Sequence, residues 1–496
     1  MDTEISSLID KATNLVYEKI NLKQFEIASV IANQVLKIDP ENHQIQQLLG
    51  VCYQNLKRYK DAREAFEKCL KINPNEPESL NNLALTYASE FDYKKACEIL
   101  IIAVEKNPKA SCIHNNLGLQ YRSLEEHENA ISCFKKSLEL KNDSKTWAMM
   151  GGCYGELKQL DKAEECFLKA LNLDPDFAAA HTDLACVYQL KGDWKQGFKE
   201  YEWRFNVYEQ LKVWKKLYDQ NKRWKGQDIS GKKLLVHTEQ GIGDGINFIR
   251  YLPILKTRGI HLTLHCSEPI LPLVQSFADE FFSKCPSKIS TEDLPDHDFN
   301  CPVMSLPHIL NLDYIPNDPY IFISEKIKIE KYNDKIKIGI VWAGNPEHSN
   351  DRKRSCELKM FKGLHDLNNV KLFSLMKDTR KRAYNDQNKP IDLTEGSENM
   401  QIVDFSEQIK SFYDTALIIN SLDIIIGVDT SVLHLAGAMG KPCCLLLSKN
   451  NDWRWKSEGE TTLWYPNMKL FRQEKNGDWS SVFEKVEKYI KKGTFK

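Results

Sequence analysis

A helical solenoid followed by an α/β region built on parallel sheets is the fold class this sequence predicts. Three observations point to it. A period of about 34 residues runs through the first two-fifths of the chain. From Leu234 onward, short β-branched or leucine-rich runs alternate with amphipathic stretches. Several of those runs end directly in loops rich in glycine, aspartate or hydroxyl side chains, the place where parallel sheets bind ligands.

The period is visible first in the prolines. Pro40, Pro74, Pro108 and Pro175 are separated by 34, 34 and 67 residues, as in stacked helix-turn-helix units. In the same register stand Gly50, Ala84, Gly118, Gly151 and Ala185, with Tyr53, Tyr87, Tyr121, Tyr154 and Tyr188 shortly after. Ala62, Ala96, Ala130 and Ala163, with Gly197 in the last copy, mark the point where the two helices of a unit cross. Four residues on come Phe66, Leu100, Phe134, Phe167 and Tyr201. A small residue at the crossing lets backbones approach, and the bulky residue is expected to fill the gap toward the next unit, so the units must stack. The pattern resembles the tetratricopeptide repeat, in six copies over about residues 9–205. Its first copy keeps only Ala28 and reads as a cap. The face of such a solenoid serves a protein partner or self-association.

Helical character continues from Arg204 to Leu217, and the polar, tryptophan-bearing stretch Asp219–Lys233 is the joint. Three domains are expected: 9–217, the solenoid; 218–330, a first α/β half; and 331–496, a second. Strands are expected at Leu234–Thr238, Ile260–Cys266, Ile336–Ala343, Val370–Met376, Asp423–Val428 and Cys443–Leu447. Helices are expected at Ile246–Leu255, Leu358–Leu367, Phe405–Leu422 and Ser431–Met439.

Four strand-end loops carry the candidate chemistry. Glu239-Gln240-Gly241-Ile242-Gly243-Asp244-Gly245 lets backbone approach a ligand at its glycines. Asp244 at the start of the helix reads either as a helix cap or as a general base facing a cleft. No Gly-Lys-Ser/Thr follows, so this is not a P-loop. The loop 344–355 carries Arg352-Lys353-Arg354, read as a solvated charged loop or an anion contact. Lys377-Asp378 is a weaker candidate of the same kind. The fourth loop, Asp429-Thr430-Ser431, opens a helix whose first N–H groups and dipole suit a phosphate. His434 shares a helix face with Thr430 and Ser431, as a ligand contact or as a core imidazole. The segment Asp452-Trp453-Arg454-Trp455 with Trp464-Tyr465-Pro466 either covers a cleft or packs the halves together.

Composition narrows the class. With 68 Lys+Arg against 69 Asp+Glu the formal net charge is −1, which gives no bulk attraction to nucleic acid or anionic membrane. The N-terminal stretch lacks the apolar core of a signal peptide, and no apolar run reaches the ~18 residues of a membrane span. Fourteen scattered cysteines without a CxxC pair suit a reducing compartment. A cytoplasmic protein is expected.

Taken together, HTEQGIGDGINFIRYLP, CPVMSLP, GIVWAGNPEHSNDRKRS, DTALIINSLDIIIGVDTSVLHLAGAMGKP, NDWRW and WYPNMKLFRQ resemble glycosyltransferase family 9, the heptosyltransferase type. They cover most of residues 201–480, in the arrangement of a repeat protein with a C-terminal domain of that kind. The resemblance implies a GT-B-type double-Rossmann fold with the nucleotide-sugar donor held mainly by the second half. It assigns Asp244 as catalytic base. Gly243, Asp429, Thr430, Ser431 and His434 are placed at the donor, with Arg354 near a phosphate-contacting lysine of the family and Lys377 more loosely. No DxD triplet stands in a suitable context, so a metal-independent, inverting hexosyl or heptosyl transfer to a protein or glycan hydroxyl is expected, without cofactor. Two alternatives stand beside it: a protein O-GlcNAc transferase-like enzyme, and a non-catalytic repeat scaffold with a relic transferase domain.

Overall fold

Alanine at each helix crossing, with glycine or alanine opposite, dictates how the N-terminal helices pair. The computed structural model describes residues 2–312, 314–346, 348, 350–377, 382–384, 390–493 and 495. It divides into two compact units, Met1–Asp183 and Leu184–Lys496. The first holds the antiparallel pairs α1 (Asp2–Asn21) and α2 (Phe25–Ile38), α3 (His43–Asn55) and α4 (Tyr59–Ile72), α5 (Pro77–Ser89) and α6 (Tyr93–Lys106). Next come α7 (Ser111–Ser123) and α8 (His127–Leu140), then α9 (Ser144–Glu156) and α10 (Leu160–Leu173). The turn inside each pair carries one left-handed residue: Lys23, Lys57, Phe91, Glu125 and Lys158, with φ between 57° and 65°. The 34-residue period is thus written in the backbone as well as in the side chains.

Ala62, Ala96, Ala130 and Ala163 are fully buried, as the crossing requires. The aromatic residues differ from expectation in direction. Phe66, Phe134 and Phe167 lie across the glycine of their own pair, Gly50, Gly118 and Gly151, where an added Cβ would come within 2.5–3.0 Å of the ring. The missing side chain makes the slot for the ring, so the bulky residue seals its own hairpin. The first pair leaves Ile5, Leu8, Leu15 and Val30 exposed.

The sixth repeat straddles the two units. Helix α11 (Ala178–Lys191) runs across the division, and α12 (Trp194–Glu200) lies in the second unit. The boundary therefore falls well before residue 217, because Ala185, Phe198 and Tyr201 share one core with the strand residues Leu234 and Val236. Helices α13 (Arg204–Val207) and α14 (Glu209–Leu217) follow.

Twelve strands are described in the second unit: β1 Lys233–His237, β2 His261–His265, β3 Glu280–Phe282, β4 Phe299–Pro302, β5 Ile336–Val341 and β6 Val370–Ser374, then β7 Arg382–Tyr384, β8 Pro390–Asp392, β9 Val403–Asp404, β10 Ile424–Val428, β11 Cys443–Leu447 and β12 Met468–Arg472. One sheet has the order β3-β2-β1-β4 and a second the order β12-β11-β10-β5-β6-β9, both parallel throughout; β7 and β8 form a separate antiparallel ribbon. Continuous apolar runs such as IIIGV in β10 and CCLLL in β11 are buried at every position, as a sheet covered on both faces demands. Strand order reverses between β1 and β4 in the first sheet and between β5 and β10 in the second. The loops after β1, β5 and β10 therefore open at the switch points, where parallel sheets leave a crevice.

Expected helices are shorter than the sequence suggested. Helix α15 starts at Ile242, not Ile246, ends at Phe248, and gives way to a 3-10 turn and Leu252–Thr257. The stretch 358–367 is a 3-10 turn followed by Lys362–His365. Phe412–Asn420 begins late because Ser411 and Asp414 cap one another across its first turn. None of the fourteen cysteines is in a disulfide, and no helix among the described residues is long and apolar enough to cross a membrane.

A buried ion network ties the end of the repeats to the loop after β1. Arg204 grips Glu239 through Nε at 3.0 Å and Nη2 at 2.6 Å, and also donates to Ser305 Oγ and Glu202. Arg223 closes the other side of Glu202 at 2.7 Å. Arg204→Met strands the Glu239 carboxylate in the core and is expected to cost about 3–5 kcal/mol. In the first unit, Phe134→Ala empties the slot over Gly118 and is expected to cost about 3–5 kcal/mol. Urea unfolding followed by circular dichroism checks both; a loss under 1 kcal/mol would contradict either account.

Candidate functional site

Gly241 is the residue before the first turn of α15, and its N–H donates to Asp244 Oδ2 at 2.9 Å. The capping role expected as one reading of Asp244 is therefore present, though with Asp244 three positions into the helix. Its other oxygen, Oδ1, accepts from Arg454 Nη2. The Arg454 guanidinium also donates through Nη1 to Asp452 Oδ1 at 2.9 Å and lies 4.0 Å above the Trp453 ring. Arg454 Nε is buried without a partner.

Across from α15 stands the helix Ser431–Ala438, which leaves the end of β10. A Cβ on Gly243 would come within 3.1 Å of His434 Cδ2 and 3.4 Å of Ser431 Cα. Glycine at 243 thus leaves room for the two helix N-termini to meet closely. Two like-directed helix ends close together concentrate positive potential at the cleft.

Asp429, at the end of β10, accepts from Trp455 Nε1 at 2.9 Å. Burial, reinforced by the nearby Asp452, pushes its carboxyl up to about 6; the Trp455 N–H and the charges of Arg354 and Arg454 act the other way. His434 stacks on Trp455 with ring centroids 5.3 Å apart. Its Nδ1 lies 2.9 Å from the Tyr465 hydroxyl and its Nε2 3.8 Å from Asp429 Oδ1. Burial, with the charges of Arg454, Arg250 and Arg354, depresses the imidazole well below its usual range, so the ring is neutral. Thr430 Oγ1 is buried without a hydrogen-bond partner, while Ser431 is partly exposed in the first turn.

Arg354 ends the short helix Asp351–Arg354, donates from Nε to Asp351 Oδ1 at 3.2 Å, and lies over Gly344, where a side chain would collide with it. Its charge reaches Asp429 and His434. Lys377 is exposed just beyond β6, and no hydrogen bond among the described residues joins it to the others; Asp378 lies outside the described residues. Gly243, Asp244, Arg354, Asp429, Thr430, Ser431 and His434 thus gather at one place.

Sequence reasoning named the segments that hold Arg454 and Tyr465, as covering a cleft or packing the halves together, but not their partners, and it gave Asn247 no role. Arg454 bridges the two halves through Asp244, and Tyr465 and Asn247 do so through His434. The one signal for them was a Trp-Arg-Trp run after an aspartate, a charge set between two large apolar faces. His348, in the loop after β5, lies within reach of the charges of Arg354, Asp351, Asp244 and Asp452. Among the described residues no three His, Cys, Asp or Glu side chains converge as a metal-ligand set. A surface hollow of about 510 Å³ lies beside β12, lined by Lys469, Arg472, Lys485 and Tyr489, and contains none of the cluster. The cluster itself offers a carboxylate on one side and a helix N-terminus with two guanidinium groups on the other, a suitable division for proton removal and anion binding.

Family models and the solved structures cover mainly the helical part, while the curated relative aligns further. Residues 45–76, 113–144, 144–177 and 166–197 match models of the tetratricopeptide repeat. The chain is similar to Protein FlbA of Caulobacter vibrioides, 23% identical over 397 residues, which is 72% of this chain and 63% of that protein. It therefore spans less than two thirds of that relative's length. Among solved structures, that of Pseudomonas aeruginosa pilF aligns with 41% of this chain and 94% of its own, at 20% identity and a TM-score of 0.38. A crystal structure of MamA aligns with 32% and 93%, at 23% identity and a TM-score of 0.31. The paired helices of the N-terminal region are tetratricopeptide repeats.

Proposed function

We propose that the second unit is an inverting, metal-independent glycosyltransferase of GT-B type, and that the repeats recruit its acceptor or a partner. The observation that carries this reading is the meeting of Asp244, on the first sheet, with the Ser431–Ala438 N-terminus, on the second, across Gly243. Asp244 takes the proton of the acceptor hydroxyl. The helix N-terminus, Arg454, Arg354 and His434 hold the departing nucleoside diphosphate as its charge grows. Base and leaving group stand on opposite halves, so attack in line inverts the anomeric carbon. In the free chain Arg454 holds Asp244. A diphosphate beside Asp429 competes for that guanidinium and releases the base. By analogy with repeat-bearing O-linked N-acetylglucosamine transferases, the acceptor is a polypeptide lying along the solenoid.

One observation favours a second reading. Both oxygens of Asp244 are already engaged, by Gly241 N–H and by Arg454, as suits a non-catalytic scaffold whose cleft is held shut.

Thermal unfolding with UDP, ADP, GDP, CMP or dTDP, each with and without EDTA, separates the two. At 100 times its dissociation constant the right nucleotide stabilises the native state by about 2.7 kcal/mol, and the gain is expected to survive the chelator. Asp244→Asn is expected to abolish transfer while nucleotide affinity stays within a few-fold, because the base acts on the acceptor. No shift with any nucleotide would favour the scaffold; a product with retained configuration would overturn the mechanism.

Asp429 supplies a test on stability. Its carboxyl ionises near 3.8 when unfolded and at about 6 when folded. The folded state therefore binds the proton more tightly, and the wild type loses stability as pH rises from 4 past 6. Asp429→Asn keeps an oxygen for Trp455 and removes that loss. Its stability relative to wild type is expected to climb between pH 5 and pH 8, by about 1.4 kcal/mol, most of the rest of the change lying between pH 4 and pH 5. A difference independent of pH would contradict the assignment.

A further inference from the structure

The Tyr465 hydroxyl joins side chains from the two sheets. It accepts from Asn247 Nδ2 at 2.8 Å and lies 2.9 Å from His434 Nδ1. An amide nitrogen has no lone pair to offer, so the phenol oxygen is the acceptor in the first contact and its own proton is left for His434 Nδ1. A Tyr465 proton directed to Asn247 would need that amide turned round. Both of its N–H protons would then be buried without an acceptor, where now a carbonyl oxygen is the unpaired group. The neighbouring Tyr320 phenol is also a hydrogen-bond partner of Tyr465, but its proton goes to the Ile246 carbonyl at 2.9 Å and its oxygen already receives Arg250 Nη2 at 3.2 Å, so the imidazole nitrogen is the stronger acceptor for the Tyr465 proton.

His434 is thereby an acceptor at Nδ1, and the neutral ring carries its single proton on Nε2. That N–H faces the end of β10. Asp429 Oδ1 lies 3.8 Å away, beyond hydrogen-bond length, and the unpartnered Thr430 Oγ1 belongs to the same loop. With the proton on Nδ1 instead, Nε2 would turn a lone pair toward any anion bound there.

We propose that Tyr465 is a positioning residue: anchored by Asn247 from the opposite sheet, it locks His434 in the Nε2–H form, so the imidazole offers a donor to a diphosphate oxygen at the Ser431–Ala438 N-terminus. The ligand in this statement rests on the transferase reading; the tautomer does not. Because Asn247 sits on α15 beside Asp244, closure of the two halves and readiness of His434 are one event.

The test uses the full chain labelled with ¹⁵N-histidine, and the His434 signals are assigned by their loss in His434→Gln. Long-range ¹H–¹⁵N spectra are expected to show the Nε2–H form in wild type and a mixture of tautomers in Tyr465→Phe, which keeps the ring packed on Gly437. Affinity for whichever of UDP, ADP, GDP or dTDP binds is expected to fall roughly three- to tenfold in Tyr465→Phe. Gln places an amide donor near Nε2 and Asn near Nδ1. His434→Asn is therefore expected to bind more weakly than His434→Gln, and Tyr465→Phe to add no loss in the His434→Gln background. An Nδ1–H wild type, or a tautomer and affinity unmoved by Tyr465→Phe, would overturn the role of Tyr465. The expected tautomers with no diphosphate bound by the wild type would overturn the ligand, and the transferase reading with it.

Discussion

A side chain at position 243 would crowd His434, since a Cβ there would lie 3.1 Å from its Cδ2. The first turns of α15 and the Ser431–Ala438 helix meet at Gly243, and Arg454 to Asp244 and Asn247 to Tyr465 bridge the same two halves. The first sheet is held ready for this meeting from behind. Arg204 fixes Glu239, two residues past the end of β1, with a bidentate grip in a fully buried setting, so the chain enters α15 in one geometry.

The region collects charge that a packed core would ordinarily exclude. Asp244, Asp429 and Asp452 lie among Arg354 and Arg454, and the set is nearly self-compensating but not fully satisfied. Asp429 in particular is desolvated further than Trp455 and the arginines can repay, which is why its carboxyl holds a proton to about pH 6. Residues kept in settings that oppose their charged form concentrate where chemistry or binding is done.

How much of this was legible in the sequence depends on distance along the chain. The repeats were legible because each crossing alanine and its partner recur every 34 residues, and recurrence needs no three-dimensional knowledge. The direction of Phe66, Phe134 and Phe167 was not, since a pattern shows that a ring is needed and not which glycine it covers. Strands that are buried on both faces announce themselves as apolar runs, as β10 and β11 do. Strands β3 and β4, with three and four residues, and the edge strand β12 with its Lys469 and Arg472 have no such run. Asp244, Asp429 and His434 were found because they follow strands within a few residues. Arg454 is 210 residues from the aspartate it holds, and no local pattern could have joined them.

The unpartnered groups bear on whether the cleft is a working site or a remnant. Thr430 Oγ1 and Arg454 Nε are both buried and unbonded, and a buried donor or acceptor left without a partner costs about 1–3 kcal/mol. A domain with a total stability of about 5–15 kcal/mol gains by replacing such groups once nothing binds there. Threonine to valine or alanine would do so at position 430 without disturbing the helix start, whose N–H groups are served by the Thr430 carbonyl rather than by its hydroxyl. Orphaned groups beside a helix N-terminus, with a neutral imidazole aimed past its carboxylate neighbour, form an incomplete polar set. An anion with several oxygens would complete it, and that physical incompleteness is what inclines the reading toward a transferase rather than a closed scaffold.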